Sequence, residues 1–312
     1  MNLEQAMTGI KVGDATIYGG LAVFPLIGDN PGKRDYFTLS EAFQKQGIDI
    51  SEVSEGGSVP ELKLKNNLDK DVFAADGEAL LGAKQNRVLN SSIYVKAGDE
   101  IIIPVSCVEA GRWRYQRRDF QASEHSEFVA SRAAKMASVG ASLKCSGWDR
   151  HSDQGAVWDE MSAKRSYFQA DAPTGSMDDV YEAARPSLDE YLNHIRTQPN
   201  QVGLACAIDG RTAGIEMFED TSVFNQFFHK LIRAYAAEVV NDDRIATVVP
   251  DKEGVHQLLH KVSHIKCDEY EAVGSGKELR FKTGKLNGSA LEVDGRLLHM
   301  VLLKESSAQR VH

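Results

Sequence analysis

Apolar and polar positions change period twice along the chain. Up to about residue 118 the apolar residues form short runs, alternating or continuous, broken by turn residues, which is the pattern of half-buried and buried strands. Residues 15–27 are rich in β-formers around Gly19-Gly20 and Pro25, and predict two short strands or one bulged edge strand. A turn at 29–32, a strand at 35–39 and a short helix at 40–46 follow, the helix capped by Ser40 and stopped by Gly47. Strands are then predicted at 48–53, 59–65, 71–74, 92–95 and 101–108, punctuated by Asp76-Gly77 and Gly98-Asp99, dipeptides suited to tight turns. About seven strands before residue 110, with frequent turns, point to a sandwich or barrel-like module.

From about Ser123 the spacing becomes helical. Phe128, Val129, Arg132, Met136 and Val139 mark one helix, residues 154–168 a second, and a third starts at Ser176, whose spacing to Asp179 is that of a capping box. Val180, Ala183, Ala184, Leu188, Tyr191, Leu192 and Ile195 give the third helix an apolar face, which Pro186 is expected to kink or split. Residues 140–153, polar with Gly and Ser, are expected to be a mobile loop or hinge.

Sheet pattern returns at 201. Gln201–Ile208 and Arg211–Phe218 flank Asp209-Gly210, a strong hairpin signal. A helix over 221–240 buries Phe224, Phe227, Phe228, Leu231, Ile232, Tyr235 and Val239 on one wide face. A shorter helix at 255–262 precedes strands at 265–273, 278–283, 288–293 and 297–303, the last two joined by Asp294-Gly295. The class is therefore α+β: a β-rich half over 13–118, a helical segment over 119–200 and a hairpin–helix–sheet unit over 201–305, either separate or fused into one compact domain.

Composition narrows the function. With 42% hydrophobic and 26% charged residues the chain is globular, and no apolar run reaches the roughly eighteen residues that span a membrane. The first residues lack the basic and apolar regions of a secretory signal, so a cytoplasmic location is expected. Cys107, Cys145, Cys206 and Cys267 are scattered without a CxxC pair, which argues for reduced thiols and against a zinc knuckle. A net charge of −9 disfavours nucleic acid and anionic lipid as partners.

A dense polar set interrupts the strands between 85 and 112: Gln85, Asn86, Arg87, Asn90, Cys107, Glu109 and Arg112. On a loop, the amides and guanidinium groups match a phosphorylated ligand, with Arg87 and Arg112 holding phosphate and Gln85 and Asn86 fixing orientation. The alternative is a structural network in which the Asn side chains bond turn backbone and Arg87 pairs with Glu109. Glu109 is the candidate acid/base residue or the partner of an arginine. Cys107 shares its strand face, but with no nearby His in sequence it reads as a small buried hydrophobe rather than a nucleophile. Trp113 and Tyr115 are interleaved with Arg112, Arg114, Arg117 and Arg118, a mix that suits stacking and phosphate contact, although solvated strand-end charges are the simpler account.

Two other patterns resolve more simply. His256, His260 and His264 fall on one stripe of a helix without a carboxylate-rich motif and read as its polar flank. Gly274-Ser275-Gly276-Lys277 lacks the spacing and strand-to-helix context of a phosphate loop and reads as a hairpin tip. No motif specifies a metal or a cofactor.

The run from Leu81 to Asn90 (LGAKQNRVLN), followed by Ile103-Pro104-Val105-Ser106-Cys107-Val108-Glu109 and Gly111-Arg112-Trp113, resembles the core signature of the ARPP family, proteins associated with ADP-ribosylglycohydrolases and rhodanese-phosphatases. The stretch from Val202 to Gly210, continuing through Phe218 to Phe224, Leu231 and Tyr235, is similar to the same family, so the resemblance covers roughly residues 15–303. It implies a link to NAD or ADP-ribose metabolism and supplies no catalytic residue list. The candidate ligand-contacting positions are Gln85, Asn86, Arg87, Asn90, Arg112 and Trp113. The rival function is a non-catalytic structural or protein-interaction module.

Overall fold

The computed structural model describes residues 3–28, 34–115, 119–241 and 252–305. The turn expected at 29–32 and the residues Arg117 and Arg118 lie outside them. Three sheets organise the described residues. A nine-stranded antiparallel sheet runs in the order Lys11–Val12, Leu21–Ile27, Gln201–Ile208, Arg211–Phe218, Arg296–Lys304, Leu286–Val293, Lys277–Thr283 and Asp268–Glu271, with Thr16–Tyr18 paired to Leu21–Ile27. The earliest strands of the chain thus complete the sheet built by its last third.

A six-stranded antiparallel sheet runs Phe120–Ser126, Glu78–Gly82, Arg87–Leu89, Glu100–Cys107, Glu61–Asn66, Ile48–Glu52. The third, four-stranded, is mixed: Ile93–Val95 and Val72–Ala74 pair antiparallel, while Val273–Gly274 and Phe37–Thr38 add to its edges in parallel. Leu62, Leu64, Leu89 and Ile103 from the six-stranded sheet share one core with Val72, Ala74, Ile93 and Val95 from the four-stranded one. The α+β class and the strand-rich first half follow the sequence pattern. The strands are shorter and more numerous than expected, and the run at 265–273 splits between two sheets.

Alternation along the nine strands gives that sheet two apolar faces. Ala22, Phe24, Leu26, Ile215, Met300 and Leu302 pack beneath α1 (Leu3–Met7) and, later in the chain, the helix Lys252–Ser263. Leu21, Val23, Leu204, Cys206, Val301 and Leu303 pack with apolar residues of the helices after residue 128, among them Met136, Val157, Leu188 and Leu231. α2 (Leu39–Gln44) is capped by Thr38, not Ser40. The Thr38 hydroxyl accepts from Glu41 N–H, and the Glu41 carboxylate accepts from Thr38 N–H, a complete capping box two residues earlier than expected.

α3 (Val129–Ser146) consumes half of the segment expected to be a hinge, ending at Gly147 with φ 84°. The remainder is pinned rather than loose, because Arg150 is buried with Nε 2.6 Å from Glu278 Oε2. α4 (Gln154–Tyr167) is capped by Asp153. α5 (Met177–His194) runs unsplit through Pro186, and its Ser176 cap makes no side-chain capping bond because that hydroxyl is engaged elsewhere. α6 (Thr221–Ala236) is capped by Asp220 and ends four residues before the expected boundary; Phe224, Phe228, Leu231 and Tyr235 are buried as predicted. α7 is the helix Lys252–Ser263. At both hairpins the Asp-Gly pairs take positive φ, 49° and 70° at Asp209-Gly210 and 50° and 76° at Asp294-Gly295, which matches the twist of antiparallel strands.

Candidate functional site

The strands Glu78–Gly82 and Arg87–Leu89 form a hairpin whose tip carries Lys84, Gln85 and Asn86. Arg87 opens the return strand and lies in register with Cys107 on the neighbouring strand. Past that strand the chain continues through Glu109 to Arg112, and Glu109 bridges to Ser176 at the start of α5. Sheet register therefore brings Gln85, Asn86, Arg87, Glu109 and Arg112 together from two separated stretches.

Glu109 is the hub. Arg112 grips it with Nε at 2.8 Å from Oε1 and Nη2 at 2.7 Å from Oε2, the two-pronged geometry that suits a guanidinium and a carboxylate. Glu109 also accepts from Asn86 N–H at 3.0 Å and from the Thr174 hydroxyl at 2.8 Å. The remaining Arg112 donors reach the carbonyls of Ala83 and Arg114 at 2.7 and 2.9 Å, and Gly82 O and Asn86 Oδ1 at 3.2 Å each. Asn86 Nδ2 donates to Ser176 Oγ, which explains the absent helix cap. Burial opposes ionisation of Glu109, but the bonds from Arg112, Thr174 and Asn86 outweigh it and hold its carboxyl below the usual range. The carboxylate that pairs with an arginine here pairs with Arg112, and the Arg87–Glu109 pair considered from sequence does not form.

Arg87 is different. Its side chain is fully buried, yet it makes one side-chain hydrogen bond, Nη1 to Gln85 Oε1 at 3.1 Å, and Nε and Nη2 have no hydrogen-bond partner. The nearest carboxylate oxygen, Glu52 Oε1, is 4.0 Å from Nη2. Burial pushes its pKa below the usual arginine value. Glu52 accepts weakly from Lys84 N–H at 3.4 Å, and its own Oε2 is buried without a partner. Trp113, about half exposed, has its ring 5.7 Å from the Arg87 guanidinium and 5.4 Å from Lys84 Nζ, with Tyr115 5.3 Å from the same ammonium. Lys84 Nζ in turn holds the carbonyls of Glu55 and Gly56, so the loop at 54–58 lies against this side of the site.

Of the remaining sequence candidates, Cys107 adjoins that cluster, in register with Arg87, and the rest lie away from it. Asn90, at the far end of the Arg87 strand, accepts from Ser106 Oγ at 2.6 Å and donates to Arg150 O at 2.9 Å. Cys107 is buried, and burial pushes its thiol up to about 11, so it is protonated at neutral pH. His264 lies 3.5 Å from Glu4 on the flank between α7 and α1. Gly274 and Gly276 shape a strand-to-strand turn in which Ser275 N–H donates to Tyr94 O.

Glu52 escaped the sequence reading, although it stands at the inward position of the alternation Ile48, Ile50, Glu52, where an apolar residue is expected. A larger buried set also escaped it. Asp76, Glu78, Glu127, Glu216 and Glu278 are interleaved in the interior with Arg132, Lys135, Arg150, Lys230 and Arg280. Lys135 Nζ lies 2.7 Å from both Asp76 Oδ1 and Glu127 Oε2, and Arg132 Nη1 is 2.6 Å from Glu216 Oε1. Glu216 Oε2 faces His299 Nε2 at 3.4 Å, and His299 Nδ1 meets Ser92 Oγ at 2.8 Å. Gly77 makes room for this cluster: a Cβ there would lie 2.8 Å from Arg132 Cδ. Burial raises the Glu127 carboxyl, whereas Lys135 and Arg132 overcome burial to depress Asp76.

Fold and site together define an α+β protein with a gripped carboxylate hub, an under-bonded buried arginine beside an aromatic face, and an ionic interior. The chain matches the ARPP-1 model, the ARG and Rhodanese-Phosphatase-superfamily-associated Protein domain, over residues 9–303, and it belongs to that family. The family's name links it to ADP-ribosylglycohydrolase and rhodanese-phosphatase associated proteins. No curated protein and no solved structure matches the chain. Among the described residues no helix is long and apolar enough to cross a membrane.

Proposed function

We propose that the Arg87 hairpin binds a phosphorylated nucleotide-type ligand. The observation that carries this reading is the pair of unpartnered donors, Nε and Nη2, on a fully buried guanidinium. Such donors are costly to leave unmade, and adjacent guanidinium nitrogens match two oxygens of a phosphate. Gln85 holds Arg87 from one side, Trp113 offers a half-exposed ring for stacking, and Glu52 Oε2 is free to accept from a hydroxyl or amide. In this reading Glu109, Arg112 and Asn86 set the shape of the hairpin, and Glu109 acts through Arg112 and the residue 86 backbone rather than by moving protons. The link of the family to ADP-ribosylglycohydrolase-type proteins favours a ligand related to ADP-ribose or NAD.

The test is thermal unfolding of the full chain with ADP-ribose, NAD, mononucleotides or inorganic phosphate. A ligand at a hundred times its Kd raises stability by about 2.7 kcal/mol. Arg87→Lys keeps the charge beside Glu52 and removes the fork, so it is expected to fold and to lose the response. A wild-type protein that responds to none of these ligands would leave the structural or interaction module as the function.

A further inference from the structure

Away from the hairpin tip, the edge strand Phe120–Ser126 and α5 bring three metal-competent side chains together. His125 Nε2 lies 3.2 Å from Glu182 Oε1 and 4.0 Å from Asp178 Oδ1, and the three ligand atoms all fall within 4.8 Å of one another. Asp178 and Glu182 are one helical turn apart on a single face of α5, and His125 meets them from the strand.

The imidazole is held in place. It stacks on Tyr181 with ring centroids 4.3 Å apart and planes 2° from parallel, and Tyr181 stacks in turn on Phe128. Ser123 Oγ accepts from His125 N–H at 3.0 Å and donates to Asp178 Oδ1 at 2.9 Å, tying strand and helix together beside the cluster. His125 is buried, whereas the Asp178 and Glu182 side chains are 25% and 49% exposed, so an ion reaches the carboxylates from solvent.

We infer that His125, Asp178 and Glu182 form a binding site for a divalent first-row transition metal ion. Ligand atoms about 2.0–2.1 Å from a tetrahedral ion sit about 3.3 Å from one another. The His125–Glu182 pair has that spacing, and Asp178 Oδ1, 4.0 Å from His125 Nε2, has to draw in toward the ion. One imidazole nitrogen and two carboxylates suit Zn²⁺ or Mn²⁺ better than Mg²⁺, which takes oxygen donors and keeps its waters. Three protein ligands leave the remaining positions to water.

One cation competes. Arg185 donates to both Glu182 oxygens, with Nε at 2.9 Å from Oε2. Its Nη2 also lies 3.7 Å from Glu124, which remains as a partner when Glu182 turns to the ion. Among the described residues Arg233 also acts on His125, and it is engaged by Asp189 at 2.8 Å. His125 Nδ1 has no hydrogen-bond partner, so the site lacks the outer acceptor that strengthens most histidine ligands, and the two carboxylates carry its affinity.

The experiment is isothermal titration of the chelator-treated full chain with ZnCl₂ and MnCl₂, with MgCl₂ as comparison. One ion per chain is expected, with affinity falling by about tenfold or more in Asp178→Asn and in Glu182→Gln. Both positions are partly exposed, so these variants are expected to retain the fold, which circular dichroism checks; His125→Ala empties a buried stack and is secondary. Arg185→Gln is expected to tighten binding, because it removes the competitor. A wild-type chain that takes up neither ion, or affinity unchanged in both carboxylate variants, overturns the site. Neither result bears on the Arg87 ligand.

Discussion

Arg87 Nη2 stands 4.0 Å from Glu52 Oε1, close enough to neutralise it and too far to hydrogen-bond. Both side chains are buried, and each keeps an atom without a partner. The pair therefore bears the desolvation of two charges without the bonds that normally offset it. Removing one charge is worse than removing both. Arg87→Met is expected to cost about 3–5 kcal/mol in the ligand-free protein, and Arg87→Met with Glu52→Gln to return within about 1 kcal/mol of wild type. Urea denaturation measures both; a harmless single substitution would show that Glu52 does not depend on Arg87.

Glu109 differs because every bond it needs is made. Its folded carboxyl lies below the usual value, so its contribution is fully present above the unfolded carboxylate pKa of about 4.3 and is lost as pH falls through the folded value. Glu109→Gln leaves Arg112 buried without a counter-charge and is expected to cost about 3–5 kcal/mol at pH 7. The same substitution should flatten the loss of stability below about pH 4.3. Unfolding curves of both proteins from neutral to acid pH check this, and parallel acid limbs would rule Glu109 out as the source.

Helix α6 tests the core. Leu231 is buried with Phe224, Phe228 and Tyr235 against the inner face of the nine-stranded sheet. Leu231→Ala is expected to cost about 2–5 kcal/mol, the range for emptying a packed core position. A loss under about 0.5 kcal/mol would mark the helix as peripheral.

What could be read from sequence was what local chemistry determines. The two Asp-Gly hairpins and the apolar face of α6 follow from turn geometry and helical period, and both appear where expected. Gln85, Asn86, Arg87, Glu109 and Arg112 stand out in the sequence as one polar set, but the partner of each is not readable there. Which arginine grips Glu109 depends on where a turn aims a side chain. Arg132 was counted within a helical run of apolar residues, and its charge at that position was the neglected sign of a buried partner. That partner, Glu216, is 84 residues away in the chain, and Arg150 finds Glu278 across 128 residues. Such pairings arise from sheet order, which periodicity does not encode. The hinge expected at 140–153 failed for the same reason, since its one buried arginine is anchored by a distant strand.

The interior ionic cluster makes the last prediction. Lys135 lies between Asp76 and Glu127 at 2.7 Å from each, and it also donates to Leu89 O. Two buried carboxylates meeting one ammonium cannot both remain ionised without it. Lys135→Met is therefore expected to cost about 3–5 kcal/mol, because it strands charge in a dry place. Adding Glu127→Leu removes one of the stranded carboxylates and leaves Asp76 with Arg132, 3.4 Å from its Oδ2. The double variant should recover much of the loss. Denaturation of the two variants beside wild type decides it: if the second substitution adds its own cost instead, Glu127 is held by Ser131, whose hydroxyl donates to it at 2.7 Å, rather than by Lys135.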